Sequence, residues 1–100
     1  MTRMIGVFVT FTFTDHFDAA KLRAIAHEAR GKFDGHLGLR SKAFTLSEAE
    51  RRATNFYIWD DEGTARAFFA PAMVERVARL YGATPTISFV EIAELVDNAH

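Results

Sequence analysis

The sequence contains no cysteine, and this absence removes several kinds of chemistry at once. Disulfide frameworks, thiolate nucleophiles and zinc–thiolate centres all need a cysteine sulfur. The four histidines show neither the i, i+4 pairing nor the histidine-with-carboxylate spacing that is typical of metal sites. We therefore expect no metal and, since no cofactor-binding motif is present, no cofactor. A chain without cysteine also suits a reducing cytoplasm.

The sequence also lacks an excess of one charge and a long hydrophobic run. Twelve basic and 13 acidic residues are scattered along the chain and give a formal net charge of −1. The charges therefore create no positive electrostatic field that would attract phosphates or anionic lipids. We expect neither nucleic acid nor a membrane surface as a partner. The apolar opening over 4–13 is broken by Thr10 and Thr12 and has no small-residue cleavage signal, so we expect a cytoplasmic protein.

Apolar and aromatic side chains, by contrast, are abundant. Of the 100 residues 49% are hydrophobic, and ten are Phe. A chain of this length predicts one domain over 1–100 with one core. Because the apolar share is rich for such a short chain, we expect part of that surface to meet a partner.

The first half of the chain predicts a strand, a helix and a second strand. Residues 5–13 alternate with period two and are rich in β-formers. Apolar side chains spaced by three and four over 22–33 then predict a helix, with Asp18 among its candidate N-caps. Residues 39–46 follow Gly38 and predict a second strand at a sheet edge.

The second half predicts a loop and four further elements. They are a polar loop over 47–52, a strand over 53–59, a short helix carrying residues 65–69, a helix over 71–81, and a strand over 86–95 before a polar tail over 96–100. Gly82 ends the longer helix, and Pro85 prevents it from resuming.

The resulting order is the βαββαβ pattern of a ferredoxin-like α+β fold. Right-handed crossovers place strands one and three in the middle of a four-stranded antiparallel sheet. The helices then cover only one face, and apolar residues such as Phe8 and Val90 are candidates for the other. Since such a surface is rarely left in water, we expect a homodimer that joins the helix-free faces, a dimeric α+β barrel.

The predicted third strand carries the most informative residues. Strand alternation sends Asn55, Tyr57 and Trp59 to one face and Phe56 and Ile58 to the other. A buried amide, phenol and indole N–H all need hydrogen-bond partners. Three together indicate either an internal network or the polar atoms of a ligand, and the purely structural alternative stays open because Tyr and Trp fit strands well.

Three short motifs resemble a known family: the spacing Asn55-x-x-x-Trp59, the segment Gly38-Leu39-Arg40-Ser41-Lys42-Ala43-Phe44, and Leu80-Tyr81-Gly82 before the last strand. The chain resembles the YdhR-like family of proposed monooxygenases, within the antibiotic-biosynthesis-monooxygenase superfamily of dimeric α+β barrels. The resemblance covers essentially the whole chain in length and element order.

This resemblance implies oxygenation of a small electron-rich aromatic, such as an anthrone or a phenol, without flavin, haem or metal. In quinone-forming members an Asn and a Trp four residues later bind the substrate and stabilise its oxygenated intermediate, and Asn55 and Trp59 match them. The substrate's own enolate or phenolate would supply electrons to O₂ while the amide and indole N–H groups hold the developing negative oxygen. Tyr57, Tyr81 and Arg40 are candidate substrate-binding residues by their chemistry.

Other interpretations stay open at this stage. Arg40 and Lys42 share a strand face and could bind an anionic substrate, but basic residues on an edge strand also protect against edge pairing. A dimer could hold a small hydrophobic molecule without catalysis, because fold is a poor guide to activity. An RNA-recognition domain shares the element order but needs a basic stripe, and haem degradation needs a proximal histidine on a helix that shows none.

Overall fold

The structure is a computed structural model that describes residues 3–98. Its strands are β1 (Ile5–Thr12), β2 (Leu39–Ser47), β3 (Arg52–Trp59) and β4 (Thr86–Glu91), and its helices are α1 (Ala19–Phe33), α2 (Glu62–Phe68) and α3 (Pro71–Tyr81). The second crossover of the βαββαβ pattern is thus made by two consecutive helices. The predicted ferredoxin-like α+β fold is confirmed.

The strands form one antiparallel sheet in the order β2-β3-β1-β4. The predicted central positions of the first and third strands are therefore confirmed. Val7 lies opposite Tyr57, and Val9 lies opposite Asn55. Paired residues share a face, so this register sends the informative residues of β3 to the same side as the apolar residues of β1.

The core lies between that side of the sheet and the helices. Val7, Phe11 and Trp59 are almost completely buried there. Leu22 of α1 and Ala65 of α2 are buried against them. Each large apolar side chain removed from water contributes about 1.5–3 kcal/mol, so this layer supplies much of the driving force for folding.

The ends of the helices follow the local signals in the sequence. The Asp18 carboxylate caps α1 by accepting from the Lys21 N–H at 3.0 Å, and Asp61 caps α2 in the same way. Pro71 opens α3. Gly82 ends that helix with a φ of 79°, a left-handed conformation that glycine adopts without strain.

The last strand is shorter than predicted. β4 ends at Glu91 rather than at Leu95, and residues 92–98 form no regular element. Glu91 lies opposite Ile5, the first residue of β1, so the residues after it have no strand to pair with. The predicted tail therefore begins at residue 92, and its last two residues lie outside the described range. Within residues 3–98, no helix has the length and apolar character needed to cross a bilayer.

Candidate functional site

An irregularity in β2 decides which of its side chains face the core. Leu39 pairs with Trp59, but the next pair joins Ser41 to Ile58, so a β-bulge lies at Arg40. After the bulge, Lys42 lies opposite Tyr57 on the core side of the sheet. The prediction that Arg40 and Lys42 share a strand face is therefore wrong. Lys42 points to the core side of the sheet, whereas Arg40 lies at the bulge.

A small cavity lies where that lysine meets the helices. Its volume is about 60 Å³, and its wall is mainly apolar side chains from β1, α1, α3 and β4. Four polar-tipped residues also line it, namely Lys42, Asn55, Tyr57 and Tyr81. A cavity of this size holds a few water molecules, whereas small-molecule sites commonly measure about 300–1,000 Å³. An aromatic ligand therefore needs wall side chains to move.

The first polar pair joins the central strand to the end of α3. Asn55, only 5% exposed, donates through Nδ2 to the Tyr81 hydroxyl oxygen at 3.1 Å. The Tyr81 ring stacks on Phe11 with the ring centroids 3.8 Å apart. Burial raises the pKa of the Tyr81 phenol, and the hydrogen bond from Asn55 opposes that change. The phenol is therefore neutral at physiological pH and has a proton to donate.

The second polar pair joins β3 to β2. Lys42 Nζ donates to the Tyr57 hydroxyl oxygen at 2.9 Å. Tyr57 is 4% exposed, and burial, followed by the nearby Tyr81, raises the pKa of its phenol. This phenol, too, is neutral at physiological pH.

Aromatic rings surround the Lys42 ammonium. Nζ lies 3.4 Å from the centroid of the Phe33 ring, 4.1 Å from that of Phe44 and 4.3 Å from that of Tyr57. Within the described range 3–98, no carboxylate forms an ion pair with it. Because burial disfavours the charged form and no anion compensates, the pKa of Lys42 falls to about 7.

Trp59 lies behind the cavity rather than in its wall. The residue is fully buried, its ring is nearly parallel to that of Tyr57 with centroids 6.0 Å apart, and Phe68 packs 5.0 Å from it. Trp59 is not among the described residues that line the cavity. Its indole Nε1 has no hydrogen-bond partner within residues 3–98. Such a buried unpaired donor costs about 1–3 kcal/mol.

Arg40 lies outside the cavity. Its side chain is half-exposed, and its Nε is 3.4 Å from Oδ1 of Asp60. It lines an open groove of about 430 Å³ between α1 and β2, together with Phe33, Lys42 and Phe44. Because these last three residues also line the cavity, they form the wall that divides the groove from the cavity.

The structure therefore brings together three of the five predicted site residues. Asn55, Tyr57 and Tyr81 meet at the cavity, Trp59 supports them from behind, and Arg40 stays at the groove. The sequence interpretation raised Lys42 only as an alternative, an anion-binding partner of Arg40, and did not include it among the five site residues. A signal for it existed, since the inward apolar positions Phe44 and Leu46 continue back to residue 42 with period two.

The rest of the described chain offers no competing metal centre. In residues 3–98, no group of three or more His, Asp or Glu side chains is arranged to hold a metal ion. The polar chemistry of the cavity thus comes from one amine, one amide and two phenols.

Comparisons with known proteins show a likeness of fold. No protein-family profile matches the sequence, and no curated protein is significantly similar to it. Among solved structures, a proposed antibiotic biosynthesis monooxygenase from Caulobacter crescentus matches with a TM-score of 0.68 and 17% identity, covering 93% of this chain and 92% of that one. SnoaB, a cofactor-independent oxygenase from Streptomyces nogalater, matches with a TM-score of 0.64 and 13% identity over 96% and 98% of the two chains.

A third solved structure carries a bound small molecule. The ActVA-Orf6 monooxygenase of Streptomyces coelicolor, in complex with nanaomycin D, matches with a TM-score of 0.64 and 17% identity over 98% of this chain and 94% of that one. This chain therefore has the α+β fold found in antibiotic biosynthesis monooxygenases.

Proposed function

We propose that this chain is a cofactor-independent monooxygenase of the YdhR-like family, acting on a small electron-rich aromatic such as an anthrone or a phenol. One observation carries the proposal: an amide, two neutral phenols and an amine converge on one otherwise apolar cavity. An apolar wall suits an aromatic ring, and fixed donors suit an oxygen atom that becomes negative during the reaction. The fold shared with cofactor-independent oxygenases supports the same proposal.

In the proposed reaction, an anthrone loses a proton from its central CH₂ group and gives electrons to O₂. A C–O bond forms as a hydroperoxide, and loss of water leaves a carbonyl. Both hydrogens of the CH₂ group leave in that water, the ring carbon is oxidised, and O₂ is reduced. Asn55 Nδ2 and the Tyr81 hydroxyl, which now bond to each other, are donors that can turn to the developing oxyanion.

The two remaining predicted residues act from outside the cavity in this proposal. Trp59 is a positioning residue, because its ring fixes the plane of Tyr57. Arg40 contacts any acidic substituent of the substrate that stays in the groove. Its half-exposed pair with Asp60 is weak enough to be exchanged for such a contact.

We propose a homodimer as the working form, joined through the helix-free face of the sheet. Phe8 on that face is 39% exposed, and its ring contacts that of Phe56 with centroids 4.7 Å apart. Val90 on the same face is half-buried, whereas Ile58 there is already buried within the chain. A second copy would cover this apolar surface.

Oxygen consumption by the purified protein tests the proposed activity. The assay uses a panel of anthrones and electron-rich phenols, after treatment with a chelator and without added flavin or haem. We expect turnover above the spontaneous rate, and a loss of about 100-fold in Asn55→Ala, by analogy with removal of one oxyanion donor. Asn98→Ala, at an exposed site outside the regular elements, is the matched control and should keep the wild-type rate.

Two outcomes would overturn this proposal. A rate equal to background across the panel contradicts the oxygenase function, as does activity that requires added flavin or haem. If the same aromatics bind tightly without turnover, the chain is a dimeric small-molecule binding module instead.

A further inference from the structure

Lys42 occupies the boundary between the open groove and the cavity. Its side chain lines both spaces, with Phe33 and Phe44 on either side. A ligand that enters the cavity from the groove must therefore pass the lysine amine.

Among the described residues that line the cavity, no other group is suited to take up a proton near neutral pH. The two phenols are held in their protonated forms by burial, and an amide is not a base. Lys42 differs from them because burial leaves a substantial fraction of its amine neutral at about pH 7. A desolvated lysine of this kind serves as a general base in other sites.

The charged groups around Lys42 in the part of the chain that the structure describes, residues 3–98, leave its amine without a fixed counterion. Tyr57 on β3 and Tyr81 on α3 face the cavity side, and both are neutral. On the groove side lie His27 and Arg30 from α1, Asp34 just after the end of α1, and Arg40 on β2. Arg40 is occupied by Asp60. An anion bound in the cavity would be the compensating charge that the ammonium lacks.

We propose that Lys42 takes the proton whose loss converts the aromatic substrate into its enolate or phenolate. The substrate is then held in the cavity as an anion beside the new ammonium. This inference rests on the proposed oxygenase function and assigns the step that precedes electron transfer to O₂. The proton moves from the substrate's C–H or O–H to Nζ, which returns it to the peroxide anion formed with O₂ and so completes the hydroperoxide. Nζ then takes the remaining proton of the oxygenated carbon as hydroxide leaves and the carbonyl forms, and it passes this proton to the hydroxide to give water.

The ammonium is well placed for this cycle. Cation–π contacts with the rings stabilise the charged form, and the Tyr57 oxygen accepts from Nζ at 2.9 Å. When the amine is neutral, the same phenol can turn and donate its proton to the nitrogen lone pair. Lys42 therefore keeps a partner in both protonation states.

Binding of para-nitrophenol tests proton transfer without turnover, because its phenol and phenolate forms absorb at different wavelengths. At about pH 6 the free compound is mainly neutral and Lys42 is mainly charged, so a phenolate band reports the bound anion–ammonium pair that the proposed proton transfer produces. We expect a phenolate band to grow as wild-type protein is added, and to be about tenfold weaker with Lys42→Met, which keeps an apolar side chain of similar length. Lys32→Met, at an exposed position on α1, is the matched control and should behave like the wild type.

The pH profile of oxygen consumption gives a second readout. In the wild type, kcat/KM should rise with pH through about 7 as the amine loses its proton. In Lys42→Ala this limb should disappear, and added small primary amines should restore part of the rate. A residue that merely fills space would be replaced by Met without loss and would not be rescued by amines.

The results separate this inference from the proposed function. A phenolate band that depends on Lys42, without any oxygen consumption, supports the lysine's role and overturns the oxygenase. Oxygen consumption that Lys42→Met leaves unchanged overturns the lysine's role alone. An unchanged para-nitrophenol spectrum at saturating wild-type protein also contradicts it.

Discussion

The two faces of the sheet use the same strands for opposite purposes. On the helix-covered face, Asn55 and Tyr57 are 5% and 4% exposed, and each has a side-chain hydrogen-bond partner. On the helix-free face, Phe8 is 39% exposed, and the polar residues include Thr10 and Thr54, whose hydroxyl oxygens lie 3.4 Å apart. The polar side chains that could bind a substrate or transfer a proton thus lie on the helix-covered face.

This contrast follows from the cost of burying polar groups. An amide or phenol under helices must be paired, so it needs partners at defined positions, and those positions create a site. The helix-free face has no such demand. The chain itself covers part of this face near Gly6, where an added Cβ would lie 2.9 Å from Val90 Cγ2 and 3.2 Å from Phe56 Cε1. The rest is available to a partner.

The largest expected effect is a difference between the two faces in how much a large-to-small substitution lowers the free energy of unfolding. Trp59→Ala should lower the free energy of unfolding by about 3–5 kcal/mol, because a fully buried indole leaves a cavity that the core cannot close. Phe8→Ala, on the other face, should cost less than about 1.5 kcal/mol at submicromolar concentration, since the ring is already partly in water. Urea unfolding of both variants measures the difference, and equal losses would show that the faces are not distinct.

The element order could be predicted because it depends on local patterns. Alternation over 5–13 and over 53–59 is visible in the sequence and survives in β1 and β3. The end of β4 could not be predicted, because it depends on where β1 begins. Glu91 pairs with Ile5, the first residue of β1, which lies 86 positions earlier in the chain. Strand length here is a property of the pair rather than of one segment.

The site was predicted only in part for a similar reason. The shared face of Asn55, Tyr57 and Trp59 follows from strand alternation, and the structure has it. The bulge at Arg40 leaves no clear mark in the sequence, so the separation of Arg40 from the inward face that Lys42 shares with Phe44 could not be predicted before the pairing with β3 was known. The exclusion of Trp59 from the cavity wall depends on how Phe68 packs over it, which no spacing rule describes.

A charge on the helix-free face should separate the proposed dimer. Phe8→Lys places an ammonium where a second copy would pack, and a charge buried without a partner costs several kcal/mol. We expect the dimer dissociation constant to rise at least about 100-fold, equivalent to about 2.8 kcal/mol. Sedimentation and light scattering at micromolar concentration measure it.

The matched control for this change is Lys21→Glu, at an exposed position on α1 that lies away from the helix-free face. It should leave the oligomeric state unchanged. A wild-type protein that is monomeric at micromolar concentration would contradict the dimer itself, whereas a Phe8→Lys variant that stays dimeric would show that another surface forms the interface.

The smallest expected effect is the pH dependence that Lys42 adds to stability on the covered face. Burial lowers its folded-state pKa from 10.5 to about 7, so the unfolded chain binds one proton more than the folded chain between these values. The contribution of Lys42 to stability should therefore rise with pH in that window and be lowest below about pH 7.

Lys42→Met removes this contribution, and comparing the variant with the wild type cancels the titration of the other groups. Between about pH 7 and 9, we expect the free energy of unfolding of the wild type to rise by about 1–2 kcal/mol relative to that of Lys42→Met. The rise is smaller than the full pKa change would give, because the amine is partly hydrated. Thermal unfolding across this range measures it, with Lys32→Met as the exposed control; a difference that does not change with pH would mean that the amine stays charged inside the fold.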